Sequence, residues 1–215
     1  MVYYTDGREE AALGRRGVAA MAALMAEAFM EHANWRALIP DERRRRRALR
    51  ALFRFMGGVA ARYGRVVVAV EAGRVVGYVT FMDEADRAQV SPLRVALSGG
   101  LPAALRFALA LRPGELAVMR AFGELVQARY AAAGADQTGL HLYTAAVEPA
   151  SQGRGVMRRA FSYFERRFKE LGFRSYELET TDPANIPVYL ALGLSAAGEA
   201  ALPGGRGLWF FKKEL

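Results

Sequence analysis

The sequence predicts an α/β (α+β) fold around a mixed sheet, and three observations carry that reading. Runs of β-branched residues alternate with apolar stripes of helical spacing along the chain. One pair of such runs, and a second pair of strand-like segments near the end of the chain, flank short glycine-bearing turns, which makes hairpins and favours a mixed over a wholly parallel sheet. Of 215 residues, 53% are hydrophobic and 24% charged, which is enough apolar material for a full core and too little charge for a disordered chain.

Met21, Leu24, Met25, Ala28 and Phe29 form one helical stripe, so the first helix spans about 18–31. Pro40 and Asp41 open a second, about 41–63, with Leu49, Leu52, Phe53, Met56, Val59 and Tyr63 as its buried face. The run Arg43–Arg47 reads as a solvated face at its start. RVVVAV (65–70) and RVVGYVTFM (74–82) flank Glu71-Ala72-Gly73 and form a hairpin. Residues 85–137, rich in Ala, Leu and Arg, form a helical insertion, broken by Gly99-Gly100, Pro102 and Pro113-Gly114 into helices of about 91–111 and 114–133. LHLYTAAV (140–147) is a strand whose faces alternate Leu140, Leu142, Thr144, Ala146 against His141, Tyr143, Ala145, Val147.

A helix of about 154–171 follows, with Val156, Met157, Ala160, Phe161, Phe164, Phe168 and Leu171 as its core stripe and Gly172 to end it. SYELETT (175–181) is a strand on which Glu177 and Glu179 share a face, the pair reading as its wet side or as site residues. PVYLAL (187–192) is a short helix, and two last strands, about 194–201 and 206–213, flank Pro203-Gly204-Gly205. No internal repeat is evident, and the length suits a single domain, 1–215, carrying one large insertion.

Net charge is +8, from 30 Lys and Arg against 22 Asp and Glu, which attracts polyanions: nucleic acid, an anionic membrane surface or a phosphate-rich cofactor. Nucleic acid is not an expected partner, because no aromatics interleave Arg43–Arg47 and no helix-turn-helix or zinc-finger spacing occurs. With Cys 0 and His 2, neither a disulfide, a cysteine nucleophile nor a metal site is expected. The start MVYYTDGREE lacks the apolar core of a signal peptide, and no uncharged run reaches the roughly 18–20 residues of a membrane span. A cytoplasmic protein with no membrane partner is the expectation.

The most informative stretch is VEPASQGRGVMRRA (147–160), a strand end, a tight turn with Gly153 and Gly155, and a helix start. Unpaired N–H groups and the positive end of the helix dipole converge there, with Arg154, Arg158 and Arg159 close by. A pyrophosphate suits such a site; a plain connecting turn is the alternative. The turn lacks the Gly-Lys-Ser/Thr of a P-loop and the third glycine of the dinucleotide fingerprint.

Gln152-Gly153-Arg154-Gly155-Val156-Met157 resembles the acyl-coenzyme A binding motif of the GNAT acetyltransferase superfamily, Gln/Arg-x-x-Gly-x-Gly/Ala. Val147-Glu148-Pro149 matches the end of that family's central strand. Asn185 and Tyr189, four residues apart in LETTDPANIPVYLALGL (178–194), resemble its second block. Phe29, the Pro40-Asp41 start and the 65–82 hairpin are similar to the subgroup containing puromycin N-acetyltransferase. Met157 stands where the family prefers Gly or Ala, and either crowds the pyrophosphate or turns into the core. Gly193-Leu194 replaces the usual Gly-Phe.

The resemblance implies a GNAT-like, mostly antiparallel central sheet flanked by helices. It also implies transfer of an acetyl group from acetyl-coenzyme A to a primary amine of a small molecule, by direct attack in a ternary complex. A non-catalytic acyl-coenzyme A binding or sensing domain of the same fold is the alternative. By resemblance, backbone N–H groups near Ala146 and Val147 serve the oxyanion. Val147 and Gln152, Gly153, Arg154, Gly155, Val156 and Met157 hold pantetheine and pyrophosphate, and Asn185 bonds the pantetheine arm.

Tyr189 is the candidate general acid, since a phenol near pKa 10 gives its proton to a thiolate near 8.5 at small cost; packing on the short helix is its other reading. His32, just after the first helix, is a candidate base or a surface histidine. Glu179 is a candidate base, an acceptor-binding group or a solvated side chain. His141 belongs to the core or the acceptor wall, and Tyr130 and Phe122 of the insertion either line the acceptor pocket or fill the core. A monomer or a homodimer fits equally.

Overall fold

The computed structural model describes residues 2–6, 15–83, 100–133 and 139–215, so the first part of the anticipated 91–111 helix and both margins of the 85–137 insertion lie outside the described residues. In chain order the elements are β1 (Val2–Asp6), α1 (Arg15–Phe29), α2 (Ala33–Leu38), α3 (Glu42–Tyr63), β2 (Arg65–Glu71) and β3 (Arg74–Asp83). There follow α4 (Leu101–Ala110), α5 (Pro113–Ala133), β4 (Gly139–Val147), α6 (Val156–Glu170), β5 (Ser175–Thr180), α7 (Ile186–Ala191), β6 (Ser195–Leu202) and β7 (Arg206–Glu214). Short 3₁₀ turns, Pro149–Ser151 and Pro183–Asn185, precede α6 and α7. Among the described residues no helix is long and apolar enough to cross a membrane.

The seven strands form one sheet in the order β1-β2-β3-β4-β5-β7-β6. All neighbours are antiparallel except β4 and β5, whose connection through α6 forces them parallel. The β2–β3 turn is a tight one, with positive φ at Ala72 (51°) and Gly73 (76°). The interior of β2 is buried throughout, as a continuous Val-rich strand covered on both faces requires. On one face Met21, Met25, Leu49 and Phe53 of α1 and α3 meet Val66, Val68 and Tyr78. On the other, Phe161, Phe164 and Phe168 of α6 meet Phe81, Leu140, Leu142 and Tyr176. Each of those rings, taken from water, contributes about 1.5–3 kcal/mol. α5 adds a smaller cluster, Val126 against Leu202, Leu208 and Phe210.

Asp41 caps α3 as its sequence implies, accepting a hydrogen bond from the Arg44 N–H at 2.7 Å. The run that follows is not simply a solvated face. Arg45 is buried and donates to three carbonyls, Met30 and Ile39 at 2.9 Å and Pro40 at 3.0 Å. Arg44 pairs with Glu115 of α5, and Arg46 with Glu27 and Glu42. Only Arg43 and Arg47 are exposed. The first turn of α3 lies against the residues that follow α1 and α2, whose carbonyls need a donor.

A second departure concerns β4. Thr80 pairs with Thr144 and Phe81 with Leu142, so Tyr143 is an extra residue on β4. The bulge shifts the alternation: Leu140, Leu142 and Ala145 face the α6 cluster, while Ala146 joins the α1–α3 cluster. Glu177 departs as well, being 8% exposed where a wet strand face was one expectation.

Candidate active site

β4 and β5 pair only over Gly139–His141 and Ser175–Glu177 and then part. Beyond that point β4 stays with β3 and β5 with β7. A cleft of about 1450 Å³ occupies the gap and extends toward α1, α2 and α5.

At one end of the cleft lies the turn into α6. Gly153 (φ 73°) and Gly155 (φ 71°) are left-handed, and Gly155 occupies the N-cap with no side chain to occlude the N–H groups. The turn is anchored from below. Glu148 takes a bidentate pair from Arg74 at 2.7 and 2.9 Å and a hydrogen bond from the Ser151 hydroxyl at 2.8 Å. Arg159 reaches back to the Arg154 carbonyl at 3.0 Å, and Arg154 pairs with Glu71 at 2.6 Å. Arg158 lines the cleft as well. Helix-start N–H groups behind a side-chain-free N-cap, with guanidinium side chains beside them, fit a diphosphate. Met157 packs against Val147 and Val156 and touches the cleft with the rest of its side chain.

The middle of the cleft is backbone. Glu148 N–H donates to the Val76 carbonyl at 2.9 Å, so in an antiparallel ladder the preceding residue turns both its N–H and its C=O away from β3. The Val147 carbonyl accordingly receives the Gln152 side-chain amide at 3.0 Å, and the Val147 N–H faces the gap. The N–H of Ala146, the other residue expected there, is directed at β3. Across the gap Asn185 donates to the Thr180 hydroxyl at 3.1 Å. Tyr189 packs at a tilt against Phe211, 5.4 Å between centroids, and lines the cleft. Burial, with the charges of Glu179 and Asp182 adding to it, pushes its phenol up to about 12.

The far end carries the remaining candidates. His32 sits 3.3 Å from Asp182 and stacks on Phe29. Burial lowers its pKa, partly offset by Asp182, so the ring is neutral at pH 7. Asn34 donates to the Thr181 carbonyl, which ties the start of α2 to the connection after β5. Glu179, on β5, accepts from the Tyr130 hydroxyl at 2.9 Å and lies 2.7 Å from His141 Nε2.

The cleft thus brings together His32, Glu179, Tyr189, Asn185, Val147 and the 152–157 turn, residues that sequence spacing placed in four separate segments. Phe122 lines it too. Sequence reasoning missed α2, which is too short for a periodic signal, and the Tyr130–Glu179–His141 contacts, whose members lie 38 and 49 residues apart.

Residues 101–194 match the model of the Acetyltransferase (GNAT) family. The architecture is the mixed α/β, mostly antiparallel GNAT fold. The chain superposes over 100% of its length on the ribosomal-protein-S18-alanine N-acetyltransferase of Escherichia coli, covering 94% of that chain at 12% identity and a TM-score of 0.55. It covers 100% of a polyamine N-acetyltransferase from Drosophila melanogaster, an enzyme that forms N-acetylagmatine, and is itself covered 100%, at 15% identity and a TM-score of 0.55. For the ribosomal-protein-alanine N-acetyltransferase of Brucella melitensis the coverage is 100% of this chain and 99% of that one, at 14% identity and a TM-score of 0.54. No curated protein matches the sequence.

Proposed function

We propose that this protein is an N-acetyltransferase that moves an acetyl group from acetyl-coenzyme A to a primary amine of a small molecule, in a single domain spanning 1–215. One observation carries the reading: the strands part beside a glycine turn, so anion-binding N–H groups, the Val147 N–H and the Tyr189 phenol all open on one cleft. Acetyl-coenzyme A, when bound, supplies the activated acetyl group.

Gly153, Gly155 and Arg158 hold its diphosphate, and Asn185 its pantetheine arm. The Val147 N–H stabilises the oxyanion as the amine attacks. Tyr189 hydrogen-bonds the departing sulfur. A phenol near 12 stands about 3.5 units above a thiol near 8.5, so complete proton transfer costs about 5 kcal/mol. Its role is therefore to donate a hydrogen bond to the developing thiolate rather than to protonate it outright. His32, paired through Nε2 with Asp182, and Glu179, which also lines the cleft, are the two groups proposed to take the amine's proton. The likeness of Phe29, Pro40-Asp41 and the 65–82 hairpin to the puromycin N-acetyltransferase subgroup supports a small amine over a protein amine as acceptor.

The test is thiol release from acetyl-coenzyme A with a panel of primary amines. Release that depends on one of the amines supports the proposal. Tight acetyl-coenzyme A binding with no turnover on any amine would establish the alternative, an acyl-coenzyme A binding domain.

A further inference from the structure

The second histidine of the chain lies at the acceptor end of the cleft, the acceptor wall being one of its two readings from sequence. His141, on β4, is 0% exposed, and its Nε2 is 2.7 Å from Glu179 Oε2. Tyr130, from the helical insertion, donates its hydroxyl to the same oxygen at 2.9 Å and holds its ring 4.8 Å from the imidazole. Glu179 itself is 11% exposed and lines the cleft. His141 Nδ1 is buried without a hydrogen-bond partner. Facing a carboxylate oxygen, Nε2 is the donor of that pair, and two donors converging on one oxygen fix the orientation of the Glu179 carboxylate.

We propose that the Tyr130–Glu179–His141 cluster is the acceptor's ammonium site: Glu179 binds the amine in its protonated form, and Tyr130 and His141 are positioning residues that hold the carboxylate aimed at the cleft. This rests on the acetyltransferase reading above and deepens it, because it defines the acceptor as a cationic amine and gives the insertion a part in choosing it.

Other charged and titratable groups face the carboxylate from the surrounding elements. Arg129, beside Tyr130, donates to the Ala197 carbonyl at 2.6 Å. His32 pairs with Asp182, and Tyr189 on α7 feels the Glu179 charge. Tyr143 on β4 stands edge-on to His141, Glu177 precedes on β5, and Arg206 on β7 lines the cleft.

The experiment measures binding of primary alkylamines and arylalkylamines, and of their neutral hydroxyl isosteres, to the full chain with coenzyme A present. Wild type should prefer the amines at least about tenfold, a preference expected of a charge-assisted contact. Glu179→Gln should abolish that preference. Tyr130→Phe, which keeps the ring contacts, and His141→Gln should each weaken amine binding several-fold. In turnover they should raise KM more than they lower kcat. All three variants should keep the wild-type thermal shift with acetyl-coenzyme A.

Charge-blind binding in wild type, a preference that survives Glu179→Gln, or a Tyr130→Phe variant with unchanged amine affinity would each overturn the proposal. A wild-type protein with no acetyl-coenzyme A shift would instead overturn the acetyltransferase reading itself.

Discussion

Tyr189 and His32 line one cleft, and loss of water moves their pKa values in opposite directions, up for the phenol and down for the imidazole. Tyr189→Phe removes the hydrogen bond to the sulfur and leaves the ring on Phe211. Thiol-release assays should show kcat reduced about 10²-fold, the lower end of what one transition-state hydrogen-bond donor contributes, with the acetyl-coenzyme A thermal shift retained. For His32 the consequence is a pH dependence of stability. Its folded pKa lies below the ordinary 6.5, so below that pH the unfolded chain takes up a proton that the folded protein resists. Stability therefore falls as pH drops through 6.5 and below. The melting temperature of wild type should drop more between pH 7.5 and 5.5 than that of His32→Gln; an equal or smaller drop would mean that Asp182 outweighs burial. Asn185 and Tyr189, which line the cleft, were picked out in the sequence because their four-residue spacing resembles the second block of the acetyltransferase family. The bonds of His141, Tyr130 and Glu179 were not, because they cross between β4, α5 and β5 and leave no periodic trace.

Two connections decide how the helices meet the sheet. In the turn into α6, a Cβ on Gly155 would stand 3.3 Å from an Arg159 guanidinium nitrogen, at φ 71°. Gly155→Ala should cost about 1–2 kcal/mol in urea unfolding, the usual penalty of a left-handed alanine, and should weaken acetyl-coenzyme A binding as the turn relaxes. In the other connection, Arg45 satisfies the Met30, Ile39 and Pro40 carbonyls together. Arg45→Met would strand buried acceptors worth about 1–3 kcal/mol each, whereas exposed Arg47→Ala should stay within about 0.5 kcal/mol. Comparing the two variants by chemical denaturation separates a built-in arginine from a solvated one. Within a run of five arginines nothing local distinguishes Arg45, because its partners are the ends of α1 and α2. By contrast the Asp41 cap, the Phe161, Phe164 and Phe168 stripe and the Gly172 stop are local signals, and the helices they define form where the sequence places them.

At the scale of the molecule, the sheet gives way between β4 and β5. β2 and β3 were readable from β-branched runs and β6 and β7 from the Pro203-Gly204-Gly205 turn between them, whereas β1, at the start of the chain, was not anticipated, and the strand order was not readable, since nothing in a strand's composition says which neighbour it takes. The Tyr143 bulge, invisible in an unbroken alternation, bends β4 with β3 while all of β5 stays paired with β7. The gap leaves the inner edge of β4 and the start of α6 without strand partners, and a coenzyme bound there would bridge elements that exist together only in the folded chain. Such a ligand stabilises the native state by mass action. Acetyl-coenzyme A at a hundredfold excess over its dissociation constant adds about 2.7 kcal/mol. For a chain of this size each kcal/mol moves the melting temperature by about 2–4 °C, so the expected rise is about 5–10 °C. Dephospho-coenzyme A and pantetheine divide the effect. If the glycine turn is the grip, the diphosphate-bearing dephospho form should keep most of the rise, and pantetheine, which lacks the diphosphate, should give little. An equal rise with pantetheine would place the grip on the strands rather than on the α6 turn.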